Sequence, residues 1–398
     1  KGSVGPTALL STSALLAPAA THDDPKRVNF INIQNSAGIS AVGYKPTPLR
    51  TGYEQVIAHR TDDLFAYTAK GKGTIVAVDD KHITIEYADG VKRSVELGRR
   101  FGISAGTTLP HTVVTDLKLG DKVKDGEIVA YNSDFFQKDL FNPKQVLWKA
   151  GVLAKTAIFE CTDTLEDSSV ISERIAKELT TSITKTRYVV LKFDQTVRNI
   201  VKLGSEVDFE SILCTIEDPL TADNDLFDEK SLDTLRAVSA LTPKAKYNGT
   251  VEKIEVFYNG DKEDMSESLR ALAGASDRYM GKLSKNMGNE NIIDGRVDGS
   301  LRIDGNPLEM DTLAIKIYIT GPVSAGVGDK GVFANQMKTI FGRVMSGVNE
   351  TEAGEPIDAI FGYRSIYNRI VLSPEIIGTT NTLLRVLSKH VAKVYRGS

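Results

Sequence analysis

Val327 to Arg343 reads VGDKGVFANQMKTIFGR, and Gly354 to Ile370 reads GEPIDAIFGYRSIYNRI. Just before them, Leu313 to Thr320 (LAIKIYIT) alternates apolar and polar residues in the manner of a half-buried strand, and Gly326-Val327-Gly328-Asp329 is turn chemistry. This order predicts a strand that delivers Lys330 to the rim of a sheet. Lys338, Arg343, Arg364 and Arg369 come next, on strands or tight loops rather than along one helix, so the cations are expected to converge from several directions. Convergent cations suit phosphate. Charge alone does not decide it. From Asp329 onward nine Lys and Arg stand against six acids, a mild excess, and exposed lysines on a sheet edge also serve to block edge-to-edge pairing.

Composition sets the outer bounds. A chain of 398 residues, 41% apolar and 25% charged, can bury a core and exceeds the usual single domain, which predicts two or three structural units. A formal net charge of -3 argues against gripping nucleic acid with the whole surface, so any such contact is local. Cys161 and Cys214 are far apart and form no CxxC, which gives neither a disulfide framework nor a zinc site and fits a reducing, cytoplasmic setting. Lys1 to Ala20 ends LAPAA and imitates a secretory signal. Gly5, Pro6 and the interspersed Ser and Thr break its apolar run, which is too short to cross a membrane.

Several local patterns carry a structural and a chemical reading side by side. His22-Asp23 offers imidazole and carboxylate, both metal ligands, which would suit a metal-dependent phosphohydrolase. His59, His82, His111 and His390 supply no ligand spacing, so a hydrogen-bonded structural His–Asp pair is the competing reading. Glu166 and Asp167 open an apolar run (Val170, Ile171, Ile175), and acids are favoured in the first turn of a helix by its dipole. Gly73 to Leu97 alternates with turn residues at Asp79-Asp80 and Asp89-Gly90, predicting a three-stranded meander. The aromatic-rich loop Phe135 to Leu147 reads as packing. Gly249 to Phe257 is strand-like, and Met265, Leu269, Leu272, Tyr279 and Leu283 recur at helical spacing. Ser373-Pro374-Glu375 predicts a helix start with Ser373 as cap. Its apolar face runs from Ile376 to Val394, and Lys389, Lys393 and Arg396 sit where the dipole prefers cations.

The order of these words resembles a family. GDKGV at Gly328 to Val332, the GxPxD-type turn Gly354 to Asp358 and Asn368-Arg369 ahead of a helix are similar to the C-terminal core of the β subunit of multisubunit DNA-directed RNA polymerases. Three further stretches fall in the same family order. His22 to Arg27 with Asn32-Ile33-Gln34 resembles HDDxxR...NMQ, Pro48 to Glu54 resembles PLVGTGxE, and Leu165 to Arg174 resembles FEDSxxISER. One GDKGV stands where the family has GDK and then GNKGV, Pro25 and Lys26 depart from the usual residues, and everything before the HDD segment is missing. The chain therefore looks like the C-terminal half of a split β subunit, as in large bacteriophages.

The resemblance implies a mixed, β-rich α+β fold: a double-psi β-barrel core with an inserted flap or wall domain and a C-terminal helix. Residues 1–60 would form a fork-like segment at the active centre and 61–150 a β-rich part of the hybrid-binding region. The barrel would be made of 151–186 and 301–371, the insertion of 187–300, and residues 372–398 would dock on the partner large subunit. Implied roles are Arg27 and Arg369 on the nucleotide triphosphate, Lys330, Lys338, Gln34 and Lys26 on RNA or template, and Glu166 with Asp167 as accessory acids near the substrate. Guanidinium suits triphosphate because it is planar, always charged and able to fork two bonds. No carboxylate cluster here is expected to hold the primary Mg2+, which falls to a β′-type partner bearing a DxDGD loop. Ala222 to Asp228 (ADNDLFD) imitates the partner's NADFDGD but misses its Gly and its carboxylate spacing, and it lies in an acidic stretch. It reads as a solvated loop. Implied partners are that β′-type subunit, an N-terminal β-type chain, DNA template, RNA product and nucleoside triphosphates, with no membrane, in a bacterial host cytoplasm and also within a phage particle. The rival readings are a viral structural or interaction protein that kept the fold without the chemistry, and the phosphohydrolase.

Overall fold

The computed structural model describes residues 10–219, 242–289, 291 and 293–397. The loop Ala222 to Asp228 lies outside these residues. Along the chain, helix α1 (Pro25–Ser36) is followed by strands β1 (Gly73–Val78), β2 (His82–Tyr87), β3 (Lys92–Glu96) and β4 (Lys122–Val123). Next come β5 (Thr156–Ile158), β6 (Ser168–Ser172), helix α2 (Glu173–Glu178) and β7 (Thr181–Lys192). Strand β8 (Gly249–Asn259), helix α3 (Glu267–Asn286) and β9 (Thr312–Val323) lead to the hairpin β10 (Lys330–Phe333) and β11 (Met337–Met345). Strand β12 (Ala359–Phe361), the short helix α4 (Tyr363–Tyr367) and α5 (Ser373–Tyr395) complete the order. The molecule is β-rich with helices added, as the mixed α+β expectation requires.

The meander forms where alternation and turns place it. β1, β2 and β3 pair antiparallel in sequence, with β4 on the free side of β1, and Ile75, Ile83, Ile85 and Val95 are buried beneath them. Strand β9 departs from the half-buried expectation, because it lies between β7 and β8 and is buried on both faces over most of its length. Its register with β7 runs unbroken from Thr181↔Val323 to Lys192↔Thr312. Helix α3 covers this sheet through Leu269 and Ala273, which are fully buried against Val256, Tyr258 and Ile315. A boundary at residue 186 therefore cuts through a strand. Strand β8, inside 187–300, shares a sheet with β9 beyond it.

The second large sheet carries the lysine-bearing stretch Val327 to Arg343. Its order is β5-β12-β6-β11-β10, with β5/β12 and β6/β11 parallel and β12/β6 and β11/β10 antiparallel. Among the described residues no pairing joins β5 to β10, so closure into a barrel is not among its contacts. Ile171, Ile175, Phe341 and Ala359 pack under it. The expected helix at Glu166 is instead a turn and a strand, and α2 begins only at Glu173, capped by Ser172 Oγ, which accepts from Ile175 N at 3.2 Å.

Apolar residues in the described part of the leader-like stretch are packed into the body. Ala14, Leu16, Ala17 and Ala20 are buried, the last two against Ile31 of α1. Cys161 and Cys214 are free, and burial pushes the Cys214 thiol up to about 11. Among the described residues no helix is long and apolar enough to cross a membrane.

Candidate functional site

Strand register decides how the hairpin presents its lysines. Lys330 lies opposite Ile340 and Val332 opposite Lys338, so these four side chains share one face, and all four are exposed. Met337, Thr339 and Phe341 occupy the other face and are buried. Gly331 is required here. A Cβ at that position would collide with the Phe341 ring, so only glycine lets the hairpin close on its own core. Among the described residues neither Lys330 nor Lys338 makes an ion pair.

The acids come from the turn before β6. Glu166 and Asp167 have φ of 49° and 65°, in the left-handed region that costs a non-glycine residue roughly 1 kcal/mol or more. The strained turn is pinned from behind. Asp167 carbonyl oxygen accepts from Ile340 N at 3.0 Å and from Thr339 Oγ1 at 2.7 Å. Both acid side chains are thereby thrown outward rather than laid along a helix, which corrects the helix-dipole reading.

Arg369 meets this turn from the far end of the chain. Its Nη2 donates to Asp167 Oδ1 at 2.7 Å and lies 3.4 Å from Lys338 O, while Nη1 donates to Ser365 O at 3.3 Å. The arginine side chain is only 13% exposed and the aspartate 59%. The cation is therefore largely shielded, held between the acidic turn and the backbone of the lysine hairpin.

Asp23 joins the remaining segment. Its Oδ1 accepts from Leu372 N and Ser373 N, each at 3.0 Å, and its Oδ2 from Ser373 Oγ at 2.5 Å and Gln336 Nε2 at 2.8 Å. A carboxylate has about four acceptor positions, and these four donors occupy them. Asp23 is thus the cap of α5, a correction to the reading of Ser373 as its own cap, and it cannot ligate a metal while so engaged. The phosphohydrolase reading loses its central ligand. Among the described residues no three His, Cys, Asp or Glu side chains are grouped to hold a metal ion.

The same carboxylate fixes where Arg27 stands. Asp24 caps α1 by accepting from Lys26 N at 3.0 Å, and Pro25 takes the first helical position. Arg27 comes four residues after Asp23 and Arg369 three before Leu372. Chain reach thus allows at most about 14 Å and about 11 Å on either side of the Asp23–Leu372 bond. Asp167, Arg369 and the Lys338 backbone thus meet at one place, and Asp23 ties the start of α1 to the segment that follows Arg369. Arg27 is half-buried with its guanidinium 5.4 Å from the centre of the Phe30 ring, and Lys26 is exposed. Gln34 sits otherwise: its Oε1 is shielded from solvent and unbonded, so it is turned inward. Arg343 is drawn off to Asp163 at 3.2 Å, and Arg364 is exposed, with its backbone N–H donating to Glu160 Oε1 at 2.6 Å.

No family model matches the chain. Among curated proteins it is similar to the DNA-directed RNA polymerase subunit β of Mesomycoplasma hyopneumoniae strains 7448, J and 232, 24% identical in each case over 294 residues. The alignment covers 66% of this chain, and the chain spans only 23% of the length of these relatives.

Proposed function

We propose that this chain is the C-terminal part of a β-type subunit of a multisubunit DNA-directed RNA polymerase, contributing phosphate and nucleic-acid contacts to template-directed RNA synthesis. The observation that carries the reading is the meeting of remote segments: Asp23 accepts from Gln336, Leu372 and Ser373, and Arg369 donates to Asp167 and reaches the Lys338 carbonyl. Weak similarity to polymerase β subunits supports it from an independent direction.

In this reading Arg27 and Arg369 bind the triphosphate of the incoming nucleotide, and Lys330 and Lys338, with Lys26 at the margin, contact RNA or template. Asp167 keeps the Arg369 fork oriented until the more highly charged triphosphate competes for it. Glu166 and Asp167 then lie near the substrate as accessory acids. Cations fixed in advance where charge develops can lower a barrier by about 3–4 kcal/mol. Mg2+, held mainly by a β′-type partner with a DxDGD loop, would supply polarisation of the reacting oxygens.

The five-stranded mixed sheet is read as the core of a double-psi barrel, and the region between β7 and β9 as its flap or wall. The face of α5 is assigned to the partner large subunit, and an N-terminal β-type chain completes a split arrangement of the bacteriophage kind. Purification of the untagged complex tests the proposal. A companion chain with a DxDGD-type loop, and RNA synthesis by the complex but not by this chain alone, are expected; an active complex without such a companion overturns it.

A further inference from the structure

The short helix α4 has two sides that differ in kind. Its inner side is already in use: Ile366 is buried, and Ser365 O accepts from Arg369 Nη1 at 3.3 Å. Its outer side carries Tyr363, Arg364, Tyr367 and Asn368, all exposed. The two tyrosines stand one turn apart, with ring centres 5.9 Å from each other and planes 26° apart. Ile370 and Leu372 follow directly. With the tyrosines they make four large aromatic or apolar side chains in one short segment, each more than half exposed.

Ile370 is the most telling of them. It is 85% exposed and has a φ of 51°, a left-handed conformation that is an outlier for a β-branched residue. Its place is fixed from both sides: its own N–H donates to Tyr367 O at 3.2 Å, Val371 is buried, and Leu372 N donates to Asp23 Oδ1 at 3.0 Å. Glycine or asparagine would take this backbone with less strain, so the turn itself does not call for isoleucine. The side chain gains little burial from its own chain in return. Strain held in place by surrounding bonds in this way is concentrated at functional contacts.

We propose that the outer face of α4, with Ile370 and Leu372, is a docking surface for a protein chain that meets it with apolar groups and a rim of acids. Tyrosine and arginine are the residues that concentrate at the centres of protein interfaces. Charge selects the partner. From Tyr363 to Arg396 the chain has six Lys and Arg against one acid, Glu375, although its formal net charge is -3. A second copy docking through the same patch would set two cationic segments face to face, because a two-fold contact pairs a patch with itself. An acidic surface meets no such repulsion. The inference rests on the proposed function in one respect, that the chain works inside an assembly. To that it adds a seat for a companion chain on α4, on the side of the helix away from Arg369 and about 10 Å across it.

Hydroxyl-radical footprinting of the purified untagged complex and of the isolated full chain tests it, read by mass spectrometry at Tyr363 and Tyr367. Oxidation of both is expected to fall severalfold in the complex. Tyr363→Ser/Tyr367→Ser and, separately, Arg364→Glu are expected to weaken the affinity between the chain and its companion at least about tenfold. Ile370→Gly should weaken it as well, while the isolated chain unfolds at no lower urea concentration, because glycine relieves the left-handed strain. That variant carries the test if circular dichroism shows that the tyrosine variant has unfolded. Tyrosines as reactive in the complex as in the free chain, unchanged affinity in the folded variants, protection that disappears on nuclease treatment, or protection of the isolated chain that grows with its concentration would each overturn the proposal and leave the polymerase reading standing. A complex without any companion chain would overturn that reading and the proposal with it.

Discussion

Arg369 Nη2 lies 2.7 Å from Asp167 Oδ1 across 202 residues of sequence, and the same guanidinium nitrogen lies 3.4 Å from the carbonyl of Lys338. One cation therefore ties the acidic turn to the lysine hairpin. Within this chain it is an ion pair; in the proposed complex the triphosphate competes with Asp167 for it.

If Arg369 binds the triphosphate, Arg369→Ala in the assembled complex raises the apparent nucleotide KM roughly ten- to a hundredfold, the worth of a charge-assisted hydrogen bond. DNA binding by the same complex changes little. Arg369→Lys recovers only part of the loss, since a point charge does not reproduce the fork. Steady-state elongation at varied nucleotide concentration measures this, and an unchanged KM removes the assignment.

Asp23→Ala strips four donors of their common acceptor. Leaving buried donors unpaired costs about 1–3 kcal/mol each, and allowing for partial rehydration the folded chain is expected to lose about 3 kcal/mol. Urea unfolding gives the total. Amide exchange at Leu372 and Ser373 localises it, because those two N–H groups bond directly to Asp23.

Acid sensitivity is expected from His111. Burial pushes its pKa below the ordinary 6.5, and its Nδ1 lies 2.9 Å from Asn132 Nδ2, an amide nitrogen that can only donate, so the ring is held neutral. The unfolded chain takes up a proton near pH 6.5 while the folded chain takes it up only lower. Stability from this group is whole above 6.5 and is lost as pH falls through the depressed value. Urea midpoints at about pH 7.5 and about pH 5.5 measure the fall. His111→Gln should flatten it, and an equal fall in both chains would show that another group is responsible.

Leu383, Leu387, Val391 and Val394 form an exposed stripe on α5, each more than half accessible. Leu387→Glu/Val391→Glu should leave the melting of the isolated chain within about 0.5 kcal/mol, as surface changes do. It should abolish co-purification with the large partner if that stripe is the docking face. Intact assembly would send the search for the interface elsewhere on the chain.

How much of this was legible in the sequence depended on how local the cause was. The β1–β3 meander and helix α3 arise from periods of two and of 3.6 read over a few residues, and both formed where expected. Val170, Ile171 and Ile175 misled because so short an apolar run satisfies a strand or a helix equally; pairing of β6 with β11 and β12 decided it. The extent of the β7–β9 sheet was hidden for a similar reason, since strand partners are chosen in space. The cap of α5 was out of reach altogether. Ser373 is a sound local candidate, but the acceptor came from Asp23, 350 residues earlier, and no local pattern announces such a partner. The candidate cations were found only through word order shared with a family, since spacing alone would have grouped Arg343 and Arg364 with them.

The Asp23 clip also imposes a schedule on the newly made chain. At about 5–20 residues per second, roughly 20 to 70 s of translation separate Asp23 from Ser373. Until then the carboxylate lacks three of its four donors, those from Leu372 and Ser373. A message or chain cut short anywhere ahead of that serine cannot complete this clip, whatever else it folds.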